Sequence, residues 1–186
     1  MTQHAKSELA LRVAPWCVGI AHVAVALTHG GPVAVPDVPA YLSIAQRFWG
    51  AVPVDELPYH PGYGILISPL GFLDGEALHS AALCVNALLA GLIVWMVQRL
   101  ARHLTSSQWL LWASTLIACS HPSVSHASRV AWPETLTIVL LLGIGLCITN
   151  SDSRQLRVAG LLAGLVPLIH PRSVTITASL LIVGFL

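Results

Sequence analysis

The residues able to do chemistry are few, and they gather at a handful of turns. Asp37 is a lone carboxylate ahead of Val38-Pro39-Ala40-Tyr41, and Glu134 follows Trp132-Pro133 at the head of an apolar run. Arg129 lies five residues before Glu134, and Arg172 closes a His170-Pro171-Arg172 turn between two apolar runs. A positioned carboxylate can take the proton of a hydroxyl, or hold a divalent cation that neutralises phosphate. An arginine fork suits phosphate. The functional roles open to these residues are therefore proton transfer at a carboxylate and the holding of a phosphate or an anionic lipid headgroup. Each also has a plainer role. Asp37 can cap a helix. Glu134 suits a helix N-terminus electrostatically, and Arg129 can pair with it. Arg172 can anchor at a membrane surface by snorkelling.

The elements that must position these groups are membrane helices. Of 186 residues, 55% are hydrophobic and only 9% charged, and the mean hydropathy is +0.76. Soluble domains carry about 25% charged residues, so a chain this poor in charge needs lipid as its solvent. The expected fold is all-α, a polytopic transmembrane helical bundle of five to six spans. The spans are expected at residues 12–29, 76–100, 106–120, 133–149, 156–169 and 173–186. A shorter apolar piece at 62–73 reads as a re-entrant or interfacial helix. Residues 1–29 also have the layout of a signal peptide, but they lack a convincing small-x-small cleavage site. Net charge is +1 with no basic run, which gives no footprint for nucleic acid. Cys17, Cys84, Cys119 and Cys147 lie in apolar stretches without a CxxC and read as small buried hydrophobes.

Positive charge orients the bundle. Lys6 and Arg12, Arg99 and Arg102, and Arg154 and Arg157 flank alternate spans, so all three places are expected on the cytoplasmic side with the N-terminus. Residues 30–76 then form the first extracytoplasmic loop. The turns bearing His121 to Glu134 and His170 to Arg172 face the same way. So do His29, His60, His79 and His126. Within the loop, residues 40–49 read as a helix lying flat on the outer surface. Tyr41, Leu42, Ala45, Phe48 and Trp49 make one face, and Asp37 sits at the start. Pro39 occupies the first turn. Tyr59-His60-Pro61-Gly62-Tyr63-Gly64 reads as a rigid turn feeding a close-packed helix. Asn86, in mid-span, is expected to form an interhelical hydrogen bond.

One order of motifs runs through the chain. Pro36-Asp37-Val38-Pro39-Ala40-Tyr41 leads a surface helix. Tyr59-His60-Pro61-Gly62-Tyr63 and Leu66-Ile67-Ser68-Pro69-Leu70 follow, then Asn86, Trp132-Pro133-Glu134 and His170-Pro171-Arg172. This order resembles the N-terminal half of polytopic GT-C glycosyltransferases of the protein mannosyltransferase and aminoarabinose transferase type. The resemblance implies a sugar moved from a polyprenyl-phosphate donor to a lipid, glycan or protein acceptor on the outer face of a cell membrane. It implies Asp37 as catalytic base or as contact for a divalent cation, Mg or Mn. Tyr59, His60, Arg129, Glu134, His170 and Arg172 are the implied substrate-binding residues. Many relatives carry an acidic pair in the first loop, whereas Val38 follows Asp37 here. Relatives are also longer, so residues 1–186 are expected to form a single transmembrane domain, the N-terminal part of a larger module.

Two other classes compete. A transporter would place charge or broken helices at the bilayer midplane, and here polarity crowds at one face. A non-catalytic membrane subunit would depend on a partner rather than on Asp37.

Overall fold

The structure is a computed structural model and describes residues 2–28, 37–50, 60–150 and 152–185. Among these residues the secondary structure is entirely helical. Two helices are long and apolar enough to cross a membrane, α1 (Gln3–Thr28) and α4 (Gly75–Leu104). The remaining helices are α2 (Val38–Arg47), α3 (Gly62–Ile67), α5 (Gln108–Ser120), α6 (Pro122–Ser125), α7 (Pro133–Asn150), α8 (Ser153–Ile169) and α9 (Val174–Phe185). Local chemistry sets several starts. Asp74 caps α4 by accepting from the Ala77 N–H at 2.9 Å. Asp152 caps α8 by accepting from the Arg154 N–H at 3.1 Å. Pro133 opens α7, where its missing N–H costs no helical hydrogen bond.

α4 is the axis of the bundle. α1 runs antiparallel to it, with Gly19 and Pro15 against Gly91 and with Glu8 bonded to Arg102 at 2.9 Å. α5 also runs antiparallel, and the Gln98 amide donates to Thr115 Oγ1 at 3.1 Å. α7 runs parallel to α4, with Gly143 near Met96 and Gly145 near Leu100, and α8 returns with Leu162 against Gly143. One end of the bundle therefore collects Lys6, Arg12, Arg99, Arg102, Arg154 and Arg157. The opposite end collects α2, α3 and the starts of α4 and α7. The end of α8 lies there too. The largest apolar cluster ties that end together, joining Ala26, Tyr41, Tyr63, Leu78, Val130 and Ile169.

α5 lies within residues 106–120, where the third span is expected. Its 13 residues rise about 20 Å at 1.5 Å per residue, short of the roughly 30 Å hydrocarbon core. Residues 121–132 carry the chain onward through the short α6 and a series of turns. Ser123, Val124, Ala127, Ser128, Val130 and Ala131 are buried in that stretch. The boundaries of α7, α8 and α9 follow the expected segments.

α2 departs from expectation in the face it buries. Val38, Tyr41, Ile44 and Ala45 pack inward, while Phe48 and Trp49 are exposed. The inward face is set by α3 and the 3-10 turn after it, not by lipid. Tyr41 meets Tyr63 edge-to-face at 5.7 Å. The Trp49 indole donates to the Ser68 carbonyl at 2.8 Å. The cysteines are less buried than expected, with Cys84, Cys119 and Cys147 half-buried and Cys17 exposed.

Asn86 fastens the site end. Its Oδ1 accepts from Tyr63 Oη at 3.0 Å. Its Nδ2 donates to the carbonyls of Val130 at 3.1 Å and Trp132 at 3.2 Å. One fully buried side chain thus joins α4, α3 and the connection into α7, as the interhelical role expected of Asn86 requires.

Asn86→Leu leaves the Tyr63 hydroxyl and two carbonyls without that partner. It should cost about 1–3 kcal/mol, more than Tyr63→Phe, in thermal unfolding of the detergent-solubilised protein. Equal midpoints for the two variants would contradict this assignment. A Cβ at Gly62 would stand 2.8 Å from the Leu168 carbonyl oxygen and 2.5 Å from Ile169 Cγ1. Gly62→Val should therefore destabilise by about 1–3 kcal/mol. Gly160→Ala, where a Cβ meets nothing within 4 Å, serves as the control and should not destabilise.

Candidate functional site

The site end is assembled from three turns and one short helix. α3 is held by Tyr63, which is fully buried. Burial pushes the Tyr63 phenol above its ordinary value, and the negative charge of Glu134 adds to the rise. The Glu134 carboxylate therefore lies close enough to act on the base of this network. Glu134 stands in the first turn of α7. Its Oε1 faces His170 Nε2 at 3.6 Å, an ion pair when the imidazole is protonated. His170 ends α8, with its N–H donating to the Val166 carbonyl at 2.9 Å and its own carbonyl accepting from the Ser173 N–H at 3.0 Å. Those two bonds make the turn that returns the chain into α9.

The Glu134 side chain is 43% exposed. Its Oε2 is nevertheless buried without a hydrogen-bond partner among the described residues, and so is His170 Nδ1. Buried polar atoms of this kind are rare because each costs its full desolvation.

Asp37 is exposed at the N-terminus of α2. Its carbonyl accepts from the Tyr41 N–H at 3.4 Å, but its carboxylate makes no capping hydrogen bond to that helix. The capping role open to Asp37 in the sequence is thus not the one adopted. Tyr41, one turn on, leans on Tyr63, so Asp37 belongs to the same end of the bundle as Glu134 and His170. His60 is exposed just before α3. Arg129 and Arg172 are exposed in the turns before α7 and after α8. Tyr59 and His29 lie outside the described residues.

Of the two roles the sequence leaves open for Arg129, the ion pair with Glu134 is not formed among the described residues. The ionic partner of Glu134 is His170. The helical reversal at 170 brings the end of α8 against the start of α7, whereas Arg129 sits in a turn held by its own N–H on the His126 carbonyl at 2.9 Å. Tyr63 and Asn86 are the residues whose importance to the site the sequence understated. The signal was present in the Tyr59–Gly64 motif and in a polar amide at mid-span.

A divalent cation was a further expectation. No group of three or more His, Cys, Asp or Glu side chains gathers among the described residues. Those residues therefore form no protein-only cage.

The profile of glycosyltransferase family 87 matches residues 57–182. The match covers α3 through most of α9, including Glu134, His170 and Arg172, and Asp37 lies upstream of it. No protein of curated function and no solved structure matches the chain. The family found is not the protein mannosyltransferase or aminoarabinose transferase type that the motif order resembles. The chain belongs to glycosyltransferase family 87, and it is a membrane glycosyltransferase.

Proposed function

We propose that the chain moves a sugar from a polyprenyl-phosphate donor to a lipid, glycan or protein acceptor at the extracytoplasmic surface of the membrane. The observation that carries this reading is the segregation of the two ends. Asp37, Glu134, His170, Arg129 and Arg172 share one end of the bundle, and the arginines that follow the positive-inside rule share the other. A reaction on a lipid-borne phosphate needs polar groups at a membrane rim and an apolar wall beneath, and this arrangement supplies both. In this reading α7, α8 and α9 complete further passes, and Phe48 and Trp49 meet the interface.

The chemistry is a displacement at the anomeric carbon with inversion. Asp37 accepts the proton of the acceptor hydroxyl as that oxygen forms its bond to the sugar. The bond between the anomeric carbon and the donor phosphate oxygen breaks, and the electron pair leaves with the polyprenyl phosphate. Arg129 and Arg172 stabilise the charge gathered on that phosphate. Glu134 and His170 position sugar hydroxyls through Oε2 and Nδ1, which have no hydrogen-bond partner among the described residues. A divalent cation, when bound by Asp37, would supply further neutralisation of the phosphate.

Asp37→Asn keeps the shape and removes the base. It should lower kcat by about 10²–10⁴-fold in a transfer assay with polyprenyl-phosphate sugar, while the protein remains folded in detergent. Transfer at the parental rate would sink the assignment of Asp37. The topology is tested separately. A cysteine placed at Arg172 should react with a membrane-impermeant maleimide from outside intact cells, and one at Arg154 should react only after permeabilisation. Reversed labelling would refute the orientation without touching the chemistry.

A further inference from the structure

A second feature begins midway along α1 and α4 and runs toward the basic end, and its lining includes none of Asp37, Glu134, His170, Arg129 or Arg172. Between α1 and α4 runs an apolar groove of about 420 Å³. Gly19 and Gly91 form its floor, where the two backbones approach closely. Leu88 and Leu92 line one side, and Trp16 and Trp95 stand at its mouth. The same two tryptophans border a second cleft of about 380 Å³, which continues toward the helix ends. This one is lined by Glu8, Arg12, Arg99 and Arg102.

The charges in the second cleft do not cancel. Glu8 Oε1 takes both Arg102 Nη1 at 2.9 Å and Arg12 Nε at 3.3 Å. Arg99 lies 5.3 Å over the Trp95 ring. Three guanidinium groups therefore face one carboxylate, and the Arg12 side chain is 73% exposed. Arg12, Arg99 and Arg102 all line one cleft, which shares Trp16 and Trp95 with the apolar groove.

We infer that the α1–α4 groove holds one anionic phospholipid of the basic-end leaflet, with an acyl chain between Trp16 and Trp95 and its phosphate against Arg12, Arg99 and Arg102. Charge complementarity selects the occupant, because an anionic headgroup supplies the negative charge that Glu8 alone does not. The site is separate from the donor lipid of the proposed reaction, whose phosphate belongs at the other end of α4.

Native mass spectrometry of the detergent-purified full chain tests this with phosphatidylglycerol and phosphatidylcholine of identical chains. Phosphatidylglycerol should be retained preferentially. The Arg12→Gln/Arg99→Gln double variant, which keeps the Arg102–Glu8 bridge, should weaken its retention about thirtyfold, the effect of two juxtamembrane arginines. Arg12→Gln alone, at an exposed position, should give part of that loss and covers the case in which the double variant misfolds. Leu92→Trp should weaken both lipids by filling the groove. Glycerol 3-phosphate should not bind at concentrations that saturate the lipid. Equal retention of the two lipids would overturn the inference, as would undiminished retention by Arg12→Gln and the double variant. Binding of glycerol 3-phosphate as tight as that of lipid would mark a free-anion site instead. A dimer that persists after delipidation and is lost in Leu92→Trp would show that a second copy covers the groove, and would equally overturn it.

Discussion

The buried amide of Asn86 is the constraint on which the rest of the site end depends. Lipid offers no hydrogen bonds, so backbone that leaves the helix must find partners within the protein. The connection from α5 to α7 leaves the helix between His126 and Trp132. Two of its carbonyls, at Val130 and Trp132, are taken by Asn86 Nδ2. The remaining acceptor capacity of the amide holds Tyr63, and with it α3. α3 in turn carries Tyr41 and α2, and its first residue packs on the end of α8. The positions of Asp37, Glu134 and His170 thus follow from one side chain with several hydrogen bonds to give.

The brevity of α5 creates the need for that constraint. A full-length helix would have carried its own backbone bonds across the core. By stopping at Ser120, the chain must bury irregular backbone, and it does so with further side-chain bonds. His22 Nδ1 meets Ser128 Oγ at 3.0 Å, and Thr135 Oγ1 donates to the Ser123 carbonyl at 3.3 Å. Non-helical backbone at membrane depth is tolerated where it is buried in protein or lines a wet cavity. The first condition is met here, because Ser123 and Ser128 are buried in protein.

Much of this was legible in the residues. The apolar runs at 133–149 and 156–169, the polar residue at 86 and the alternation of arginines all depend on local composition. Local composition survives folding in lipid because each span is solvated independently. What was not legible depended on neighbours. α2 offered two overlapping apolar faces, and Ile44 won over Phe48 and Trp49 because Gly64 leaves room for it. Glu134 had an arginine nearby in sequence, but the partner that arrived was His170, brought by a helix reversal that no spacing rule encodes. The run at 106–120 gives α5 where a span is expected, but the burial of Ser123, Val124, Ala127, Ser128, Val130 and Ala131 beyond it depends on neighbours.

The separation of the two ends also explains why the polar residues of the site can stay under-satisfied. Glu134 Oε2 and His170 Nδ1 carry a desolvation cost that a purely structural pair would have shed by packing apolar groups or by recruiting Arg129. That cost is bearable because Asn86 and the apolar cluster beneath hold the backbone regardless of what the pair does. Neither atom adds stability by staying buried without a hydrogen-bond partner among the described residues, so the pair is held in place by the packing around it and not by its own bonds.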